Sequence, residues 1–227
     1  MRKAPPNCPD DLSLLLDAWE HMSEHFLPGR GELVGAAIDA IVRHGPAPRI
    51  VELGSGPGTT LRRLRSRLTE ADLVGVDNDP VLREVHEIAT PASMSIRVID
   101  VDLTRSSWLR AVTSRIEPTV VIAIQVLHYF PPQRLEQLLS EIHRAVGTGG
   151  WIIHIDDVPA PTPDHARPIA GWSAGDEEGH AAPDDPWRRW WADAERVDVL
   201  GDAFRARRGR EGTWSGSGEC STAQVGE

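Results

Sequence analysis

Short apolar runs alternate with helical patterns along the middle of the chain. The runs at 50–53, 73–76, 96–99, 120–124 and 151–155 predict five strands. Between consecutive runs, most segments have apolar residues at helical spacing, which predicts connecting helices. The run at 120–124 is apolar throughout, as in strands buried on both faces of a parallel sheet. This pattern predicts an α/β fold, with a doubly wound parallel sheet of about five strands and helices on both faces.

The segments on either side of this core have different patterns. Residues 11–26 and 32–43 have apolar residues at helical spacing and predict two helices before the first strand. After residue 155, prolines among Asp and Gly predict a loop or lid, and a Gly/Ser-rich end predicts a flexible tail. The expected units are N-terminal helices covering the site (1–46), a binding core (47–156), a loop/lid with a Trp-rich helix (157–208) and a flexible tail (209–227).

Composition and charge narrow the class of protein. The 227 residues contain 24 Lys+Arg and 34 Asp+Glu, and the net charge of −10 argues against a nucleic-acid partner. No apolar run reaches the ~18 residues of a membrane helix, and no apolar signal segment follows the N-terminus. The two cysteines, Cys8 and Cys220, have no metal-ligand spacing and form no disulfide framework. We therefore expect a cytoplasmic protein with no metal and no membrane partner.

The most informative segment is VELGSGPGTT at residues 51–60. A predicted strand leads into Gly54, Gly56 and Gly58, and a predicted helix begins at once. Glycines let a ligand approach the backbone closely, and the start of a helix offers free N–H groups. The segment predicts a nucleotide-type binding site, although a tight structural turn would account for the same glycines.

Asp77 strengthens the interpretation as a binding site. It lies at the predicted carboxyl end of the second strand, where a carboxylate can accept the hydroxyl groups of a ribose. Asp79, followed by Pro80, is the better candidate for capping the next helix. The loop differs from the dinucleotide fingerprint, because no Gly or Ala stands three residues after Gly56.

With Glu52 two residues before its first glycine, the Gly-x-Gly-x-Gly loop resembles the first motif of class I S-adenosylmethionine-dependent methyltransferases. The resemblance continues in Asp102-Leu103 with Trp108 further on, in 120–123 followed by LHYF, and in EIHRAV before two glycines. It covers roughly residues 47–155 and extends loosely to enzymes like trans-aconitate methyltransferase. It implies a Rossmann-like fold.

The resemblance also implies a cofactor, S-adenosyl-L-methionine, and a product, S-adenosyl-L-homocysteine. The implied cofactor-binding residues are Glu52, Gly54, Ser55, Gly56, Asp77, Asn78, Asp102, Leu103 and Ala123. Asp100 competes with Asp102 for the place facing the adenine amine, and the spacing to Trp108 favours Asp102.

His128 is the candidate catalytic residue. It follows the fourth predicted strand, at the edge where open α/β sheets bind ligands, and histidine titrates near neutral pH. A hydroxyl acceptor would need such a base, whereas a carboxylate would need none. Alternatively, His128 packs at the rim of the sheet, or Tyr129 shapes the acceptor pocket. We expect His154 to lie in the core and Asp156 to be a solvated strand end.

These residues predict a methyltransferase that acts on a small-molecule acceptor, at a carboxylate or hydroxyl oxygen. Class I members usually end in an antiparallel hairpin, and the last part of this sequence has no pair of alternating apolar runs that would form one. This leaves room for a catalytically impaired cofactor-binding protein, or for a homodimer in which a second copy completes the sheet. An NAD(P)-dependent oxidoreductase is less favoured, because Gln133 stands where a Tyr-x-x-x-Lys pair starting at Tyr129 would have lysine.

Overall fold

A computed structural model describes residues 8–45, 47–156 and 190. The helices are α1 (Cys8–Phe26), α2 (Arg30–His44), α3 (Thr59–Arg67), α4 (Pro80–Ala89), α5 (Ser107–Thr113) and α6 (Pro132–Val146). The strands are β1 (Arg49–Leu53), β2 (Asp72–Asp77), β3 (Ile96–Asp100), β4 (Val120–Ile124) and β5 (Trp151–Ile155). Short 3₁₀ turns occur at Ala92–Met94 and Leu127–Tyr129.

The strands form one sheet in the order β3-β2-β1-β4-β5, and every neighbouring pair is parallel. Alternate residues of the central strands face opposite sides. Val51 of β1 and Val121 of β4 pack in a cluster with residues of α5 and α6, whereas Ile50 and Val120 pack in a second cluster with residues of α2 and α3. Two apolar layers therefore sandwich the sheet, and the predicted doubly wound Rossmann-like α/β fold is confirmed.

The predicted elements agree closely with the observed ones. All five strands form where the apolar runs lie, and α5 has the predicted bounds. Asp79 caps α4 as expected, because its Oδ1 accepts the N–H groups of Val81 at 2.8 Å and Leu82 at 3.1 Å. Helix α1 begins at Cys8, three residues earlier than the apolar pattern predicts.

The strand order reverses between β1 and β4. The chain moves from β1 outward to β2 and β3, and then returns to the other side of β1 as β4. In open α/β sheets, ligands bind at such a switch point, outside the carboxyl ends of the strands. The loops that follow the strands at this edge carry the residues of the predicted site.

The two edges of the sheet differ. On β3, Arg97 pairs with Asp72 of β2 at 2.7 Å, and Asp100 pairs with Arg83 of α4 at 3.0 Å. On β5, Trp151 and Ile152 are exposed. The expected loop/lid, Trp-rich helix, flexible tail and missing hairpin fall outside the described residues except Trp190, and the homodimer stays a prediction.

The chain divides into two compact units, one of residues 23–157 and one of residues 1–22 with 158–227. In the second unit, the ring of Trp190 meets that of Trp19 edge-on, with centroids 4.9 Å apart. Its Nε1 donates to the Leu15 carbonyl at 3.0 Å, and Trp190 is buried. None of the described helices is both long and apolar enough to cross a membrane.

Candidate functional site

The ends of β1, β2, β3 and β4 bring the predicted cofactor-binding residues to one edge of the sheet. Glu52 and Ala123 are buried inside β1 and β4, and Ser55 is buried in the loop after β1. Asn78 follows β2 and is half-buried. These residues therefore lie near the carboxyl edge of the sheet, and their role in binding stays a prediction.

The loop after β1 requires glycine for steric reasons. Gly54, Gly56 and Gly58 have φ angles of 62°, 51° and 78°, in the left-handed region that disfavours side chains. A Cβ on Gly54 would lie 2.5 Å from Cγ2 of Val126. Ser55 donates its N–H to the carbonyl of Val76 at 3.0 Å, which joins the loop to β2. The backbone conformation of this loop is fixed by its neighbours.

Asp77 ties the glycine loop to the end of β2. Its Oδ2 accepts the N–H of Gly56 at 2.9 Å, and its Oδ1 accepts the N–H of Asp79 at 2.8 Å. Burial raises the pKa of Asp77 to about 6, although these two hydrogen bonds oppose the rise. Asp77 thus holds the loop together, and each of its oxygens retains a second lone pair for a ligand.

The ring of His86 in α4 packs against the same loop at Gly58. Nothing in the sequence pattern indicates this contact. A Cβ on Gly58 would lie 2.6 Å from the His86 ring. Burial, together with the nearby charge of Arg62, lowers the pKa of His86 to about 4, so its ring is neutral at pH 7. Arg62 itself donates to the carbonyl of Pro57 at 2.6 Å.

The last residue of β3 and the turn after it contain the two candidates for the adenine end. The Oδ1 of Asp102 accepts the N–H of Thr104 at 2.8 Å and its hydroxyl at 2.6 Å, and the Oδ2 accepts Nε of Arg105 at 3.3 Å. Asp100 instead pairs with Arg83 at 3.0 Å. Asp102 organises the turn, whereas Asp100 faces a partner on α4.

His128, Asp156 and His154 form a cluster at the ends of β4 and β5. Nδ1 of His128 lies 2.6 Å from Oδ1 of Asp156, and Nε2 of His154 lies 3.3 Å from its Oδ2. The His128 backbone N–H also donates to Oδ2 of Asp156 at 3.3 Å. The Asp156 side chain is only 4% exposed, whereas those of His128 and His154 are 23% and 43% exposed.

Two expectations about this cluster are wrong. His154 is exposed rather than in the core, because β5 is the edge strand of the described sheet and its surface is only partly covered. Asp156 is not a solvated strand end, because the 3₁₀ turn at Leu127–Tyr129 brings the His128 ring and backbone over its carboxylate. Only the fold brings His128 to the other two residues, since α6 and β5 lie between it and Asp156 in the chain.

Two further features lie beside the cluster. Gln125 has a φ of 51°, a left-handed conformation that non-glycine residues rarely adopt, and donates its N–H to the Ile155 carbonyl at 2.8 Å. The Tyr129 ring lies 4.1 Å from that of His128. About half of Tyr129 is exposed, but desolvation of its phenol end, followed by the carboxylates of Asp156 and Asp77, raises the pKa of Tyr129 to about 12. Carboxylates from the glycine-loop region (Asp77) and from the histidine cluster (Asp156) therefore both raise the pKa of this phenol.

The histidine cluster is not arranged as a metal centre. Within residues 8–45 and 47–156, no group of three or more His, Cys, Asp or Glu side chains could hold a metal ion. Nδ1 of His128 must carry a proton, since an ionised Asp156 carboxylate only accepts hydrogen bonds. This tautomer leaves Nε2 of His128 as the basic nitrogen.

Comparison with known proteins identifies the central segment. Residues 50–150 match a family model described as "Methyltransferase domain". No curated protein sequence matches the chain. The similar solved structures include the complex of DhpI with SAM and HEP, which is 18% identical, with 78% of this chain and 76% of that chain covered and a TM-score of 0.46.

Two other similar structures carry methyltransferase names. Human N-acetylserotonin methyltransferase in complex with SAM is 18% identical, with 64% of this chain and 37% of that chain covered and a TM-score of 0.44. The sugar N-methyltransferase KedS8 from Streptoalloteichus is 19% identical, with 61% and 55% covered and a TM-score of 0.46. At these scores, neither structure indicates the acceptor of this chain.

Proposed function

Because residues 50–150 match a family model described as a methyltransferase domain, we propose that this chain is an S-adenosylmethionine-dependent enzyme that methylates a hydroxyl oxygen of a small molecule, with His128 as base. This match agrees with the family resemblance in the sequence. The hydroxyl acceptor, the base and the individual binding residues are our proposal, and the His128–Asp156 pair is the observation that carries it.

The residues at the strand ends fit the cofactor. The left-handed glycines bring backbone close to the ligand space, and the Asp77 carboxylate retains lone pairs for the ribose hydroxyl groups. When bound, S-adenosylmethionine supplies a methyl group that its sulfonium already activates. The proposed cofactor-holding residues are Glu52, Gly54, Ser55, Gly56, Asp77, Asn78, Asp102, Leu103 and Ala123.

The His128–Asp156 pair favours a hydroxyl acceptor over a carboxylate. A carboxylate is already ionised at neutral pH and needs no base, whereas a hydroxyl must lose its proton as the new bond forms. With Nδ1 bonded to Asp156, His128 can take that proton on Nε2, and the Asp156 carboxylate stabilises the resulting imidazolium. The low exposure of Asp156 strengthens this interaction, because little water competes for it.

A methyl-transfer screen with labelled S-adenosylmethionine tests this function. The panel contains matched sets of phenols, alcohols, carboxylates and amines of similar size. We expect label only on hydroxyl compounds, and we expect His128→Gln to lower kcat by about 10²-fold to 10⁴-fold while the affinity for S-adenosylhomocysteine stays within about twofold.

His143→Gln is the matched control, because it removes an exposed histidine from α6. It should leave kcat unchanged. Transfer to carboxylates or amines alone would contradict the hydroxyl acceptor. Full activity of the His128→Gln enzyme on a hydroxyl compound would contradict the role of His128 as base.

A further inference from the structure

A buried ion pair lies beside the turn that follows β3. Arg134 of α6 donates Nη2 to Oε2 of Glu141 at 2.8 Å, and their side chains are 10% and 6% exposed. The fully buried Trp108 of α5 donates its Nε1 to the same oxygen at 2.6 Å. Burial alone would raise the pKa of Glu141, but the hydrogen bonds from Arg134 and Trp108 outweigh it and hold that pKa below its usual value.

Stability alone gives no reason for this ion pair. Glu141 is buried on the inner face of α6 next to Leu138 and Ile142, which belong to the apolar cluster on that side of the sheet. Two buried charges lose their hydration, and an apolar pair of similar volume is often at least as stable. The position of the pair, against a turn that carries predicted cofactor residues, indicates a role in the site.

Arg134 fixes one peptide group of that turn. Its Nε and Nη2 both donate to the carbonyl of Leu103, at 2.9 Å and 2.6 Å. The N–H of the same peptide group belongs to Thr104 and donates to Oδ1 of Asp102 at 2.8 Å. Because both ends of this peptide are bonded, rotating it would break the contacts with Arg134 and with Asp102 together. Arg134 therefore helps to orient the Asp102 carboxylate through this peptide, beside the direct contacts of the Thr104 hydroxyl and Arg105.

We propose that the Arg134–Glu141 pair, braced by Trp108, orients Asp102 toward the amino group of the adenine and so makes the enzyme selective for a 6-aminopurine. This inference rests on the proposed function, in which Asp102 helps to hold the cofactor, and the family resemblance implies that Asp102 faces the adenine amine. Arg134 and Glu141 act through Asp102 and are positioning residues. Removing the pair should loosen the Leu103–Thr104 peptide while leaving the sheet intact.

The test compares S-adenosylhomocysteine with S-inosylhomocysteine, which has an oxygen in place of the adenine amino group. Calorimetric titration of the wild-type protein should show a preference of at least about tenfold for the amino compound, the effect of one charge-assisted hydrogen bond. In the double variant Arg134→Met/Glu141→Met, which avoids an unpaired buried charge, the preference should fall to less than about threefold.

The control is Arg97→Gln/Asp72→Asn, which removes an exposed ion pair at the opposite end of the strands. It should keep the wild-type preference, and thermal unfolding verifies that both double variants fold. An unchanged preference in Arg134→Met/Glu141→Met, or no preference in the wild type, would overturn this inference alone. If the wild type binds neither compound, the proposed function fails and this inference fails with it.

Discussion

The two halves of the proposed site, one for the cofactor and one for the acceptor, are held together by different kinds of contact. In the cofactor half, the loop at residues 54–58 and Asp77, a buried carboxylate accepts backbone N–H groups. In the acceptor half, His128, Asp156 and His154, the main contacts join side chains. Backbone contacts constrain the ligand through chain geometry, whereas side-chain contacts can be replaced one at a time. The cofactor half is therefore suited to one invariant ligand, and the acceptor half can change with little effect on the sheet.

The largest expected effect comes from a side chain at Gly54. Gly54→Ala should lower the affinity for S-adenosylhomocysteine by at least about 100-fold, because the new Cβ would lie 2.5 Å from Cγ2 of Val126 at a φ of 62°. Gly147→Ala is the matched control, with a φ of 64° and no atom within 4 Å of its Cβ. Equal losses of affinity in calorimetric titration of the two variants would show that the clash with Val126 is unimportant.

In the acceptor half, Asp156→Asn should lower kcat by about tenfold to 100-fold, because the amide neither fixes the His128 tautomer nor stabilises the imidazolium. The affinity for S-adenosylhomocysteine should stay within about twofold of the wild type, because Asp156 belongs to the acceptor half and not to the cofactor half. Asp72→Asn, an exposed carboxylate, is the control for turnover with a hydroxyl acceptor. A parallel loss of cofactor affinity would show that the halves are not separable.

His86 should make the cofactor half sensitive to acid. The unfolded chain takes up a proton at His86 near pH 6.5, whereas the folded protein does so only near pH 4, so stability falls as the pH drops between these values. Between pH 7 and pH 5 this residue should cost about 2 kcal/mol of unfolding free energy. Urea unfolding of His86→Phe at pH 7 and pH 5 should show a loss of stability that is about 2 kcal/mol smaller than the loss of the wild type.

Asp77 acts in the opposite direction over the same interval. Because the pKa of Asp77 in the folded protein is raised to about 6, its protonation favours the folded state. Asp77 should therefore add about 1 kcal/mol to the free energy of unfolding as the pH falls from 7 to 5. Asp77→Asn should therefore show a steeper loss of stability in acid than the wild type. If the two variants change the pH dependence in the same direction, one of these two assignments is wrong.

An effect of similar size is expected on cofactor affinity. Only an ionised Asp77 can accept hydrogen bonds from both ribose hydroxyl groups, so the affinity for S-adenosylhomocysteine should fall by about tenfold between pH 7 and pH 5. Asp77→Asn should remove this dependence, and Asp77→Ala should weaken binding at pH 7 by at least about tenfold. Affinity that is independent of pH in the wild type would contradict the ribose assignment.

Local patterns predict the fold and the position of the glycine loop well. Each strand corresponds to a short apolar run, and the glycines at 54, 56 and 58 directly follow the first strand. Asp79 could be recognised as a cap because Pro80 follows it. These features depend on residues close together in the chain, so periodicity and spacing are sufficient to find them.

Contacts between distant segments escape this kind of prediction. The burial of Asp156 depends on a turn 28 residues away, and His86 meets Gly58 only when α4 packs beside the loop. No pattern in the sequence indicates either contact. For Glu141 a signal does exist, because a charged residue interrupts the apolar spacing of α6 between Leu138 and Ile142.

The contact between Gly54 and Val126 joins positions that are far apart in the chain. A methyl group of Val126 occupies the volume that a side chain at position 54 would need. Homologous enzymes should therefore inherit these two positions as a pair, and a library that randomises position 126 would also alter the wall behind the glycine loop. Productive redesign of either position would have to sample both together.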